Sequence, residues 1–140
     1  MAVRSAEAVW EGTITEGNGN ITVANKSFPY SFSSRFEEGN GSNPEELLGA
    51  AHAGCFSMQL GALLGRAGFP ANEVRTVAKV HLVKGDAGFS ITKIDLVTEA
   101  NVPNIDEATF LETAKNAKEI CPVSRALASI ETTLDAKLVG

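Results

Sequence analysis

Only two cysteines occur in the chain, and each stands where its reactivity can be argued. Cys55 lies within NPEELLGAAHAGCFSMQLGALLG (43–65), an apolar run with helical spacing. Cys121 stands directly before Pro122 in CPVSRAL (121–127), 66 residues further on. Proline favours the first helical turn, so Cys121 falls at an N-cap, where backbone N–H groups and the helix dipole lower a thiol pKa. Cys55 has no helix terminus to help it, and burial alone raises a thiol pKa and weakens it as a nucleophile. It needs a cation. Arg35, in SSRFEEGNGSNPEE, lies just ahead of the helix, and Glu45 offers a carboxylate that could hold its guanidinium through paired hydrogen bonds. Glu45 and Cys55 are almost three helical turns apart (roughly 3.6 residues per turn) and are not stacked on one face, so Arg35 would have to bridge them. From spacing alone the bland alternatives stay open: inert buried thiols, a solvated arginine and ordinary first-turn acids.

A zinc site would draw on His52, Cys55, His81 and Cys121. His52 and Cys55 are neighbours on a helix, but no pair has the compact Cys-x2–4-Cys spacing of a zinc hairpin. His52 can equally hydrogen-bond a buried neighbour. The residues therefore point to thiol chemistry without metal or other cofactor.

The elements that must position these side chains are legible in outline. Residues 4–36 read as strands broken by turns: Ala6, Ala8 and Trp10, then Ile14, then a turn at EGNGN (16–20). Phe28, Tyr30 and Phe32 alternate, with Pro29 marking an edge strand or a strand start. EEGNGS (37–42) is a loop. Asn43 is an N-cap, Pro44 the first helical residue and Glu46 the third, and the helix runs to about Arg66. Leu47, Leu48, Ala51, Cys55, Met58 and Ala62 mark an apolar face, and Ala50, Ala53, Gly54, Gly61 and Gly65 make the other sides small. Such a helix is expected to be buried almost all round. GFPAN (68–72) ends it. Strands follow over 73–83, with Val74, Ala78, Val80 and Leu82 on one side, and over 89–100, joined by KGDAG (84–88). Phe89 and Ile91 are out of phase with Ile94 and Leu96, so a bulge belongs near Thr92–Lys93. Asp106 caps a helix over about 107–119 carrying Ala108, Leu111, Ala114 and Ala117. A short restart at 121–129 precedes a last apolar alternation through Ile130, Leu134, Ala136 and Leu138. With no repeat or linker, residues 1–140 read as one α+β domain.

Composition excludes several function classes. Hydrophobic residues make up 44% and charged residues 21%, as in ordinary globular proteins, and the formal net charge of −5 with scattered arginines argues against nucleic acid or an anionic membrane as partner. MAVRSAEAVWEG does not read as a signal peptide, and the apolar run at 47–65 is interrupted by His52, Gln59 and glycines, short of a membrane span. A cytoplasmic location in a reducing compartment is expected, where two cysteines are poor evidence for a structural disulfide.

Together, NPEELLGAAHAGCFSM (43–58), the preceding RFEEGNGS and CPVSRAL (121–127) closely resemble the osmotically inducible protein C family, sisters of the organic hydroperoxide resistance proteins. The order of strands and helices fits over essentially the whole chain. The resemblance implies a stress-related thiol peroxidase that reduces organic hydroperoxides, and hydrogen peroxide less readily, without haem or metal. It further implies that Cys55 matches the peroxidatic cysteine, Cys121 the resolving one, and Arg35 and Glu45 the activating pair. Arg4 is an alternative, because the sister branch carries its arginine on a more N-terminal segment. The implied fold is α+β: an intertwined homodimer whose antiparallel sheets wrap central helices. The implied cycle passes through a Cys55 sulfenic acid and a Cys55–Cys121 disulfide, which a dithiol reductant reopens; lipoyl-protein dithiols serve the sister branch. Phe36, Phe56 and Met58 are candidates to accept the alkyl part of a peroxide. Local electrostatics favour Cys121 and the resemblance favours Cys55 as attacker. Two other classes compete: a lipid- or small-ligand-binding stress protein without turnover, and a structural protein with unreactive thiols.

Overall fold

Turn chemistry in the first fifty residues produces three short strands, β1 (Glu7–Glu11), β2 (Asn18–Val23) and β3 (Lys26–Tyr30), paired antiparallel in the order β1-β2-β3. The structure, a computed structural model, describes residues 2–140. Pro29 sits on the edge strand β3, where its missing N–H leaves no central ladder position unpaired. Phe32 departs from expectation. It opens a short helix, α1 (Phe32–Phe36), because Ser31 and Ser34 cap one another: Ser34 N–H donates to Ser31 Oγ at 3.1 Å and Ser31 N–H to Ser34 Oγ at 2.8 Å. The loop at 37–42 is then tied down. Ser34 Oγ donates to Ser42 O at 2.7 Å, and Ser42 N–H donates to Pro29 O at 2.9 Å. Gly41, at φ +114°, could not carry a side chain, since a Cβ there would lie 2.3 Å from Pro29 O.

These elements form one compact unit, Met1–Leu47; Leu48–Gly140 form a second. The long helix α2 (Pro44–Arg66) starts as expected: Asn43 Oδ1 accepts from Glu46 N–H at 2.8 Å, and Asn43 Nδ2 donates to the Glu46 carboxylate at 3.1 Å. In the second unit, β4 (Glu73–Gly85) and β5 (Gly88–Asn101) make an antiparallel hairpin. Its register slips where His81 faces Lys93 but Leu82 faces Ile91, leaving Thr92 as the extra residue of a bulge, at the expected position. Asp106 caps α3 (Glu107–Ile120), accepting from Thr109 N–H at 3.1 Å. A one-turn helix, α4 (Pro122–Ala126), leads into β6 (Glu131–Leu138). β6 lies parallel to β5, so this sheet is mixed rather than antiparallel throughout. Asp95 ties the three strands: its carboxylate accepts from Thr133 on β6, from His81 on β4 and from Lys93, which hold its pKa down at about 2.

The core of the second unit joins Phe56, Leu60 and Leu64 of α2 to Ile94, Leu96 and Ala100 of β5 and to Phe110, Ala114 and Ala117 of α3. Two expectations are corrected here. On α3 it is Phe110 that goes inside, while Leu111 is 43% exposed. On α2 the inward face is Gly49, His52, Phe56, Leu60 and Leu64, not the Leu47–Ala51–Met58–Ala62 stripe, and the helix is not buried all round. Ala50, Ala51, Gly54, Met58 and Ala62 stay exposed, and a Cβ added at Gly54, Gly61 or Gly65 would meet nothing within 4 Å. A helix of small residues carries little information about which side is down; the large residues Phe56, Leu60 and Leu64 decide it by filling volume against the sheet. By length and apolarity α2 also passes for a membrane span, contrary to the sequence reading, although its Phe56–Leu60–Leu64 face packs into the core.

Candidate functional site

Cys121 owes its position to the proline after it. The residue before a proline is pushed out of helical conformation, and Cys121 (φ −54°, ψ 125°) accordingly ends α3 and caps α4. Its N–H donates to Ala117 O at 2.9 Å and its carbonyl accepts from Arg125 N–H at 3.0 Å. The side chain is fully buried. Cys55 reaches the same point from the middle of α2, and the two free sulfurs lie 3.0 Å apart. Forming an S–S bond of about 2.05 Å needs only a small closing movement.

The two thiols are not equivalent. Burial pushes the Cys55 thiol up, its hydrogen bond with Cys121 adds to this, and a backbone N–H from Val123 offsets only part. No cation of residues 48–140 is among the groups that set its ionisation. At Cys121 burial also pushes upward, but the hydrogen bond from Cys55 outweighs it together with the N–H and hydroxyl of Ser124 and the N–H of Val123, so the net shift is downward. The sulfur closes no ideal cap hydrogen bond, and these donors act as a diffuse positive end. Cys121 stands at the N-cap read from the sequence, but its hydrogen bond with Cys55, rather than the helix end, is the largest of the lowering causes.

Behind Cys121, His52 is fully buried on α2 with Nε2 2.8 Å from Ser124 Oγ, which answers the expectation of a buried hydrogen-bond partner. Burial lowers its pKa, so the ring is neutral near pH 7. His81 instead contacts Asp95 on the sheet at 2.7 Å, and among the described residues no three His, Cys, Asp or Glu side chains are grouped for a metal. Ser124 escaped the sequence reading; its only signal is its place three residues after Cys121.

In the first unit, Arg35 and Glu45 meet as the sequence suggested. Arg35 Nε is 3.2 Å from both oxygens of Glu45, and Nη2 is 2.7 Å from Oε1, a forked pair in which the carboxylate is buried. The guanidinium carbon lies 5.3 Å from the centre of the Phe36 ring. Trp10, Ile14, Tyr30, Phe32 and Phe36 join Arg35 around a depression of about 220 Å³. Arg4 is exposed, and among the described residues its bond is to the Val3 carbonyl, at 3.3 Å. Of the candidate alkyl acceptors, Phe36 lines this depression, Met58 is 80% exposed beside Cys55, and Phe56 is core.

Comparison with known proteins adds a consistent set of likenesses. Residues 37–135 match the family model described as OsmC-like protein. The chain is 50% identical over 139 residues to peroxiredoxin OsmC of Escherichia coli (strain K12), covering 96% of each chain. It is 30% identical over 100 residues to organic hydroperoxide resistance protein-like 2 of Staphylococcus epidermidis, covering 69% of this chain and 68% of the relative. Among solved structures, an OsmC-like protein from Mycoplasma pneumoniae superposes with a TM-score of 0.78 at 16% identity, covering 99% of both chains. The organic hydroperoxide resistance protein OhrB of Bacillus subtilis superposes with a TM-score of 0.72 at 24% identity, covering 97% of this chain and all of that one.

Proposed function

This chain belongs to the OsmC-like protein family, and on that premise we propose how its residues divide the work of a cysteine-based peroxidase. The protein reduces organic hydroperoxides with its own thiols, and the observation that carries this is the pair of free sulfurs 3.0 Å apart. Cys55 attacks the distal peroxide oxygen: an S–O bond forms, the O–O bond breaks and the alcohol leaves. Cys121 then displaces water from the Cys55 sulfenic acid to make the disulfide. Arg35, held by the buried carboxylate of Glu45, is the activating cation that favours the Cys55 thiolate. Support comes from the forked geometry of that pair, in which the Glu45 carboxylate is buried. The apolar depression around Arg35 suits the alkyl part of an organic peroxide, so faster turnover of organic hydroperoxides than of hydrogen peroxide is expected. A dithiol reductant, such as a lipoyl protein, reopens the disulfide. The two units act as one domain in the cytoplasm, with neither nucleic acid nor membrane as partner.

The protein works as a homodimer, and the open stripe of α2 supports this. An apolar helix of which the chain itself covers so little, with Met58 80% exposed, is stable in water when a second copy lies against it. Met58→Glu is expected to convert a species of twice the chain mass into monomer, read by light scattering; an unchanged dimer would place the interface elsewhere.

The reaction is tested by stoichiometry. The reduced protein, freed of reductant, receives one equivalent of cumene hydroperoxide and is followed by thiol titration and intact mass. Loss of both thiols with a mass decrease of about 2 Da is expected. Persistence of both thiols with unchanged mass would sink the peroxidase and favour a second reading, a binding protein that retains an apolar ligand in the depression beside Arg35.

A further inference from the structure

Reopening a disulfide requires a thiolate to attack one sulfur and expel the other, and the two sulfurs here differ in what can reach them. Cys121 is fully buried, part of the core that also holds Phe56, Leu60 and Ala117. Its backbone is tied on both sides: its N–H donates to Ala117 O at 2.9 Å, and its carbonyl accepts from Arg125 N–H at 3.0 Å. Cys55 is only partly buried and lines a depression of about 300 Å³ with Met58, Gln59, Ala62, Arg66 and Pro122. Pro122 reaches this depression, but Cys121, the residue before it, is not part of the lining. The sulfurs lie 3.0 Å apart, so forming the S–S bond brings them together by only about 1 Å. Each sulfur therefore keeps its side, Cys55 toward the depression and Cys121 toward the core.

We propose that the dithiol reductant enters by this depression and attacks the Cys55 sulfur, with Cys121 as the leaving thiol in every turnover. The inference rests on the reading of Cys55 and Cys121 as a redox pair. One thiolate of the reductant gives its electron pair to a new S–S bond with Cys55. The Cys55–Cys121 bond breaks, and Cys121 leaves with its electrons and takes up a proton. The second thiolate of the reductant then attacks the reductant's own sulfur in the mixed disulfide. The bond to Cys55 breaks, Cys55 leaves as a thiolate, and the reductant departs with an internal disulfide. Two electrons have passed to the protein and both thiols are restored. Peroxide and reductant thus use one opening in turn, and Cys55 returns already facing the next peroxide. Attack at Cys121 would need the corner between α3 and α4 to open, and a sulfur exposed only in that way reacts in proportion to the open fraction. The volume of about 300 Å³ admits a slender, unbranched thiol arm and not a folded domain.

No substitution is needed to test this. The protein is oxidised with diamide, which links neighbouring thiols without any peroxide, and is then mixed with excess 2-mercaptoethanol. A monothiol has no second thiol to complete the exchange, so the mixed disulfide accumulates. Samples are quenched in acid, where the thiolate needed for exchange is lost, and digested with pepsin. The peptides holding Cys55 and Cys121 are then read by mass for the bound mercaptoethanol. The same reaction in denaturant, with both sulfurs exposed, supplies the reference ratio. In the folded protein the early adduct is expected on Cys55, at least about tenfold in excess over Cys121 relative to that reference, because Cys121 reacts only from the open form. An adduct divided as in denaturant, or found first on Cys121, overturns the proposal. A folded protein whose two sulfurs diamide cannot link overturns it as well. If diamide links them and peroxide does not, the peroxidase reading falls instead, and the position of the adduct still decides which sulfur is attacked.

Discussion

Replacing Cys55 by serine should reduce peroxide turnover to the uncatalysed background, a loss of at least about 10³-fold, whereas Cys121→Ser should still consume one equivalent of peroxide at an undiminished rate. The expectation has to be argued, because the resting electrostatics point the other way. Cys121 holds the lower pKa and Cys55 the higher. Access and ionisation therefore compete. A thiol pKa raised by one unit costs about a factor of ten in thiolate below that pKa, part of which returns as nucleophilicity. A sulfur that no peroxide can touch contributes no rate at all. Cys121 is fully buried, while Cys55 is only partly so and opens onto a depression shared with Met58, Gln59, Ala62, Arg66 and Pro122. Access outweighs acidity, and Cys55 is therefore the expected attacker on the proposed mechanism. The sign for the second variant is equally definite. The hydrogen bond with Cys121 is one of the causes that raise the Cys55 pKa, so its loss in Cys121→Ser should lower that pKa and leave the first oxidation as fast or faster. Stopped-flow measurement of the first thiol loss, with mass spectrometry of a product about 16 Da heavier in Cys121→Ser, checks both. Retention of the fast phase in Cys55→Ser would reverse the roles.

Local chemistry, where strong, was readable from residues alone. Asn43-Pro44 and Asp106 announced their helices, the broken alternation between Ile91 and Ile94 located the bulge at Thr92, and Pro122 placed Cys121 at a cap. What failed depended on distance or on weak contrast. Phe28, Tyr30 and Phe32 alternate like a strand, yet two serine side chains turned the chain into α1 after Ser31. On α2, residues small on every side left the inward face undetermined, and Phe56, Leu60 and Leu64 chose it only by meeting β5 and α3. Periodicity says that 131–138 is a strand but not that it runs parallel to β5. In the site, both thiols were legible, and so was the Arg35–Glu45 pair, because the partners are ten residues apart across a short loop. The His52–Ser124 contact was not, since nothing local to either residue names a partner 72 residues away.

If Arg35 is the activating cation proposed above, Arg35→Ala should slow the first oxidation of Cys55 by about 10²-fold, the effect of removing a guanidinium that lowers an acidic group by roughly one to three pKa units. Arg35→Lys should recover little, because an ammonium cannot reproduce the fork in which Nε and Nη2 both engage Glu45. Loss of rate alone would not separate a catalytic arginine from a structural one, because Arg35→Ala also strands a buried carboxylate at Glu45. The double variant Arg35→Ala/Glu45→Ala separates them. It should regain much of the thermal stability lost in the single variant, since no unpaired buried charge remains, and yet stay as slow in the first oxidation. Recovery of rate along with stability would make the pair a structural clamp and leave Cys55 without its cation, in which case Arg4 becomes the residue to substitute. Persistent slowness in a stable double variant, with the Cys55 pKa raised by at least about one unit, is the result expected if Arg35 sets the charge of the attacking sulfur.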